Sequence, residues 1–296
     1  MIRIGIIDLW LNNWHTDHYP EYLRLAARRY GVDIAVTAAW AMYEAPAGCL
    51  SNQAWCQRQG IRLTQSEAEL IAGADGLLVM GADDCAQHEA LAAAALASGK
   101  PVYCDKTFAP TWEAARRMFD RAGQFGTPVF TCSAQRYVME LQSFACLLDG
   151  RPAAYCATTG PGDLANYSIH QFEMVEYIMG RGARQCLCYP GQGNLHFLYR
   201  YGDGRTARIT QGEGVPFTMG IYGGGQWRDV AVTDYYMALM YDLCGFFQDK
   251  RPRVSRASTL EIMAMQQAAR AAAAAHWAWH PVPGAAEGGS HDEANG

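Results

Sequence analysis

The chain has 296 residues and a formal charge of −5 at neutral pH; half of its residues are apolar and 18% are charged. That length and balance suit a soluble globular protein of two domains. An acidic chain without a Lys/Arg cluster is not built for nucleic acid, no apolar run reaches membrane-spanning length, and MIRIGIIDL is not a signal peptide.

Residues 2–9 form a short apolar run suited to a buried parallel strand. Pro20 is a candidate helix start, with Tyr22, Leu23, Leu25, Ala26 and Ala27 on the apolar side and Gly31 as the stop. A second strand follows over 33–39, then an irregular stretch over 40–62. The next elements are a helix (66–72), a strand (76–80), a helix (86–98), a strand (101–104), a helix (111–123) and a strand (128–132). Strand–helix alternation with short loops predicts an α/β fold, a Rossmann-like doubly wound parallel sheet.

The pattern changes near residue 150. A strand over 153–159 and a helix over 168–179 lead into a glycine-rich, β-forming stretch from 193 to about 228. Within it, 197–201, Gly202-Asp203-Gly204 and 207–210 read as a hairpin. Helices are expected over 235–248 and 259–275. We therefore expect domains at 1–133 and 134–282, the second an α+β unit with a largely antiparallel open sheet, and a disordered tail over 283–296.

The ten cysteines include no CxxC pair, so neither a zinc knuckle nor a thioredoxin-like motif is present. Cys186-Leu187-Cys188 is too weak to signal a metal. Cysteines inside apolar runs act as small hydrophobes, and a reducing cytoplasm is the expected setting.

Two blocks carry chemistry. Residues 73–109 place loops after the third and fourth strands, at the carboxyl ends where open α/β sheets bind ligands. Lys106 at such an end is a candidate proton donor or carbonyl polariser, the plain alternative being a loop cap. Residues 160–182 set His170 and Glu173 three apart on a helix, where a carboxylate can orient an imidazole. Asp8, His15, Asp17 and His18 form a weak metal candidate, Asp8 and His15 foremost.

The blocks resemble the Gfo/Idh/MocA family of pyridine-nucleotide-dependent sugar and cyclitol oxidoreductases. The likeness rests on His88-Glu89, Gly99-Lys100-Pro101-Val102, Asp105-Lys106-Thr107, Arg136-Tyr137 and the segment Asn166, Tyr167, Ser168, His170, Glu173. It extends over residues 2–282. It implies NAD or NADP held near Asp8, Leu9, Asn13, Trp14, His15, Gly81, Ala82, Asp105 and Lys106. It implies hydride transfer at a hydroxylated, sugar-like substrate, with Lys106 or His170 taking the proton. Asn166, Tyr167 and Glu173 would support that step, Arg136 and Tyr137 would hold the substrate, and the chain would form a homodimer or tetramer.

The resemblance breaks at three places. The family's GxGxxG falls on Asp8, Trp10 and Asn13, although those glycines are what let the backbone approach a pyrophosphate. A carboxylate about 4 Å from a phosphate charge costs on the order of 1 kcal/mol even in water. The second strand ends in Thr37-Ala38-Ala39-Trp40, without the acid expected for the adenosine ribose. Asn166 replaces a catalytic aspartate, and Thr107 the proline after the lysine. Asp8, Asp105-Lys106 and Tyr167-Ser168-Ile169-His170-x-x-Glu173 look closer to a divergent branch of the family. Two further readings therefore stand beside the oxidoreductase. One is a cofactor-independent or metal-assisted isomerase, lyase or hydrolase using Lys106, His170 and Glu173. The other is a ligand-binding paralogue or partner subunit.

Overall fold

A computed structural model describes residues 1–233 and 235–285; most of the expected disordered tail lies outside the described residues. The chain divides into two compact units. One comprises Met1–Cys132 and Tyr236–Arg256, the other Ser133–Tyr235 and the described residues from Ala257 on.

In the first unit the chain runs β1 (Ile2–Asp8), α1 (Trp14–Tyr30), β2 (Ile34–Ala41), α2 (Asn52–Gln59), β3 (Arg62–Leu63), α3 (Glu67–Gly73) and β4 (Gly76–Val79). It continues through α4 (His88–Leu91), α5 (Ala93–Leu96), β5 (Val102–Cys104), α6 (Trp112–Gln124) and β6 (Val129–Phe130). The six strands are all parallel, in the order β3-β2-β1-β4-β5-β6. Ile4, Ile6, Ile7, Leu77 and Val79 are fully buried, as both faces of a doubly wound sheet require. The strand order reverses between β1 and β4, and the carboxyl ends there carry Asp8 and the loop after β4.

Three local expectations are corrected. Helix α1 begins at Trp14, ahead of Pro20, because Asn13 and Thr16 form a reciprocal capping box; Pro20 lies inside the helix. The stretch read as irregular contains α2, capped by Ser51 and ended by Gly60 in the left-handed conformation. The helix expected over 86–98 is instead a 3₁₀ turn (Cys85–Gln87) followed by the short helices α4 and α5. They part at Ala92, whose ψ of −8° opens the turn.

The second unit starts with α7 (Met139–Leu147), β7 (Tyr155–Gly160), α8 (Ile169–Met179), β8 (Ala183–Pro190) and β9 (Asn194–Tyr201). β10 (Thr206–Gly212), β11 (Thr218–Gly223) and β12 (Gln226–Val230) follow. Helix α9 (Tyr236–Asp249) belongs to the first unit; α10 (Arg256–Ala274), from Ala257 on, and β13 (Trp279–Pro281) belong to the second. The sheet is β12-β11-β7-β10-β9-β8-β13, antiparallel throughout except for the parallel β7–β10 pair. The expected α/β fold, with a parallel first sheet and a mostly antiparallel second sheet, is the fold found.

Candidate functional site

At the carboxyl edge of the first sheet, Asp8 is completely buried. Its Oδ1 accepts the Leu9 N–H at 2.7 Å and its Oδ2 accepts the Asn13 side-chain amide at 2.8 Å. Burial pushes the carboxyl up to about 7; the Asn13 and Leu9 hydrogen bonds pull it down, and the nearby Asp105 charge pushes it further up. Asn13 also donates to the Trp10 carbonyl and accepts the Thr16 N–H, so its side chain is committed to the loop and to the start of α1.

The same loop is tied to the chain that follows β2. The Met42 and Tyr43 N–H groups donate to the carbonyls of Asp8 and Leu9 at 2.9 and 2.8 Å. Asn52 accepts the Leu11 N–H at 2.9 Å and donates to the Tyr43 carbonyl. Asn12 accepts the Leu50 N–H at 2.7 Å, and Asp17 gathers Asn12, Trp55 and Arg58.

Beside Asp8 stands Asp105, just past β5 and 1% exposed. Its Oδ1 accepts the Tyr19 hydroxyl at 3.0 Å and lies 3.3 Å from that of Tyr103. Its Oδ2 lies 3.3 Å from His15 Nδ1 and has no hydrogen bond of good geometry. Lys106 is only 8% exposed and pairs with Asp83 in the loop after β4. His88 folds over Gly81: a Cβ at Gly81, whose φ is +73°, would lie 1.9 Å from His88 Nε2. Burial holds the His88 imidazole below its ordinary range.

The second unit has its own cluster. His170, in the first turn of α8, meets the Ser133 hydroxyl through Nδ1 at 2.6 Å. Glu173 accepts the Ser133 N–H at 3.0 Å and the Arg136 guanidinium at 3.1 Å. The expected His170–Glu173 coupling thus has an intermediary, because Ser133 touches both. Arg136 also reaches Glu176 at 2.8 Å and lies over the Tyr177 ring. Burial pushes Glu173 up to about 7 against the opposing pull of Arg136. Tyr167 and Phe217 present ring edges to His170, Asn166 is held through its N–H by Asp163, and Tyr137 is buried.

Of the residues expected at the cofactor edge, Asp8, Asn13, His15, Asp105 and Lys106 lie at one strand edge together with Gly81. Trp14 instead stacks on His18 and packs near Tyr236. Tyr19, Tyr103, Asp83 and Ser133 were not among the expected site residues; of these, Asp83 sits in the loop after the third predicted strand and Ser133 just past the last parallel strand, so both carried a signal. Among the described residues no group of three or more His, Cys, Asp or Glu is arranged to hold a metal ion. No helix among them is long and apolar enough to cross a membrane.

Neither models of protein families nor curated proteins match the sequence. Solved structures match its fold. The myo-inositol dehydrogenase of Lactobacillus casei, solved in complex with NAD(H) and myo-inositol, has a TM-score of 0.79 at 12% identity, covering 95% of this chain and 97% of its own. A probable dehydrogenase from Thermotoga maritima has a TM-score of 0.78 at 16% identity, covering 95% and 99%. An NAD binding oxidoreductase from Klebsiella pneumoniae reaches 0.76 at 14%, covering 95% and 98%. The chain thus has the fold of NAD-binding sugar and cyclitol dehydrogenases across nearly its whole length.

The residues present do not fit the adenosine-diphosphate half of a dinucleotide in the glycine-loop manner. A buried carboxylate and a committed amide occupy two of the three glycine positions, Trp40 and Ala41 end β2 without an acid, and the loop is hydrogen-bonded to residues 42–52.

Proposed function

We propose that the chain is an enzyme acting at a hydroxyl- or carbonyl-bearing carbon of a sugar-like small molecule, by proton transfer at the carboxyl edge of its parallel sheet. The observation that carries this is Lys106, nearly buried at the end of β5 and paired with Asp83. An ammonium so placed polarises a carbonyl oxygen or protonates an alkoxide. Asp83, about half exposed, is the partner that a substrate oxygen would replace. The second unit holds a proton-handling candidate of its own, His170, positioned by Ser133 and through it by Glu173. Turnover of a panel of polyols, aldoses and keto-sugars, with and without added NAD and NADP, tests this. Lys106→Ala and His170→Ala should each lower kcat/KM by about 100-fold or more. Full activity in Lys106→Ala refutes the assignment.

One observation favours a second reading, an NAD(P)-dependent oxidoreductase: the fold likeness to a dehydrogenase solved with NAD(H). Turnover that strictly requires NAD or NADP, with binding by calorimetry, would replace the first reading with this one.

A further inference from the structure

Asp105 and His15 form a buried pair that the reading above leaves without a task. The two oxygens of Asp105 are unequally served. Oδ1 faces the hydroxyls of Tyr19 and Tyr103, while Oδ2, sealed from solvent, has His15 Nδ1 at 3.3 Å and no hydrogen bond of good geometry. His15 thus turns Nδ1 toward that oxygen at ion-pair distance, which leaves Nε2 as the ring nitrogen turned away from Asp105 and free to exchange a proton. His15 is held in place by edge-on contacts with Trp14 and Tyr19, and its side chain keeps 9% of its surface open. Titratable groups coupled to Asp105 are Asp8, Tyr19, His88, Tyr103 and Cys104, and Lys106 follows it in the chain.

The pair occupies the edge where the strand order reverses, the place where an open α/β sheet binds its ligand. On the side where a dinucleotide would lay its adenosine, the first loop is stitched to residues 42–52 by the hydrogen bonds of Met42, Tyr43, Leu50 and Asn52. A histidine beside a carboxylate thus stands at the ligand edge of the sheet, where the first loop is tied down on the side of the cofactor's far half.

We propose that His15, oriented by Asp105, is the proton-transfer residue of this edge, and that the edge works on a keto-sugar or cyclitol ketone without a dinucleotide. His15 Nε2 removes the proton from the carbon next to the carbonyl. The electron pair of the broken C–H bond becomes the C–C double bond of an enediolate, whose oxygen faces the Lys106 ammonium. Returned to the same carbon by the same base, the proton restores the substrate and only exchanges; returned to the neighbouring carbon, it gives the isomer, the Lys106 ammonium protonating the former carbonyl oxygen and taking the proton of the adjacent hydroxyl as that oxygen becomes the new carbonyl. Nothing is oxidised or reduced overall, so the class is isomerisation. The proposal rests on the proton-transfer reading above and assigns the base within it.

The test uses the full chain, freed of bound nucleotide by charcoal, in D2O with fructose, scyllo-inosose and 3-keto-glucose. Proton NMR follows deuterium entering the carbon beside the carbonyl. Wild type should exchange without NAD or NADP, and His15→Gln should exchange about 100-fold more slowly or worse. Asp105→Asn should be slowed less, with the loss in kcat rather than in KM. Near-ultraviolet circular dichroism checks that each variant is folded; if His15→Gln is not, His15→Asn serves in its place. Exchange undiminished in a folded His15 variant, exchange that needs NAD(P), or no exchange with any of the three ketones overturns the proposal. Exchange lost in Lys106→Ala but kept in the His15 variant would leave the proton-transfer reading standing and remove only this inference.

Discussion

Asp8 in the first unit and Glu173 in the second are both buried carboxyls, both pushed up to about 7, and they reach that value by different routes. Glu173 has a cation: Arg136 lies 3.1 Å away, but the same guanidinium also serves Glu176 at 2.8 Å. One positive charge shared between two carboxylates leaves burial dominant. Asp8 has neutral donors among the described residues, the Asn13 amide and the Leu9 and Gly81 N–H groups, with the Asp105 charge working against it. Burial sets the direction in both places, and the partners determine what removing them does.

The largest effect should come from Arg136→Leu, which strands two buried carboxylates and should cost about 3–5 kcal/mol at pH 7 by denaturant titration. The cost should shrink toward pH 5, as Glu173 takes up a proton. An effect below 1 kcal/mol at pH 7 would make the two regions equivalent.

The next test is of Asp8. A carboxyl raised in the folded state favours the protonated form. Its contribution is therefore fully present below the unfolded value of 3.8 and is lost as pH rises through about 7. That shift corresponds to about 4 kcal/mol as an upper bound. Glu173 adds a loss of the same sign from its ordinary 4.5. Asp8→Asn should remove the first share, flattening the stability–pH curve between pH 4 and 8 and leaving the Glu173 share in place. An unchanged curve would show that Asp8 stays ionised.

The smallest effect is expected from Asn13→Ala, which loses the helix cap and the side-chain amide that donates to Asp8. We expect about 1–2 kcal/mol by thermal or denaturant unfolding. Because Asn13 pulls the Asp8 carboxyl down, its loss should also move the pH dependence upward.

The alternation of apolar strands and helices was readable along the sequence because each element repeats a local pattern. Helix α2 was not, since SNQAWCQRQG has no apolar stripe and is defined by its caps, Ser51 and Gly60. Pro20 was a plausible helix start on local grounds, and the Asn13–Thr16 box overrode it. Asp8 and Lys106 were legible as candidate site residues because each ends a strand. Tyr19 and Tyr103, 84 positions apart by number, converge on Asp105 only through tertiary packing, so no local spacing announces them. Ser133 shows its role only when α8 brings His170 against it.

The loop after β4 carries a constraint on how this chain can change over generations. Because His88 lies where a Cβ at position 81 would go, and the backbone there is left-handed, the two positions form a one-way ratchet. His88 can shrink first and leave a void; Gly81 cannot enlarge first. In sequences descended from this one, or in a library scanning both positions, a side chain at 81 should occur only together with a residue smaller than histidine at 88, and even then mainly asparagine or aspartate.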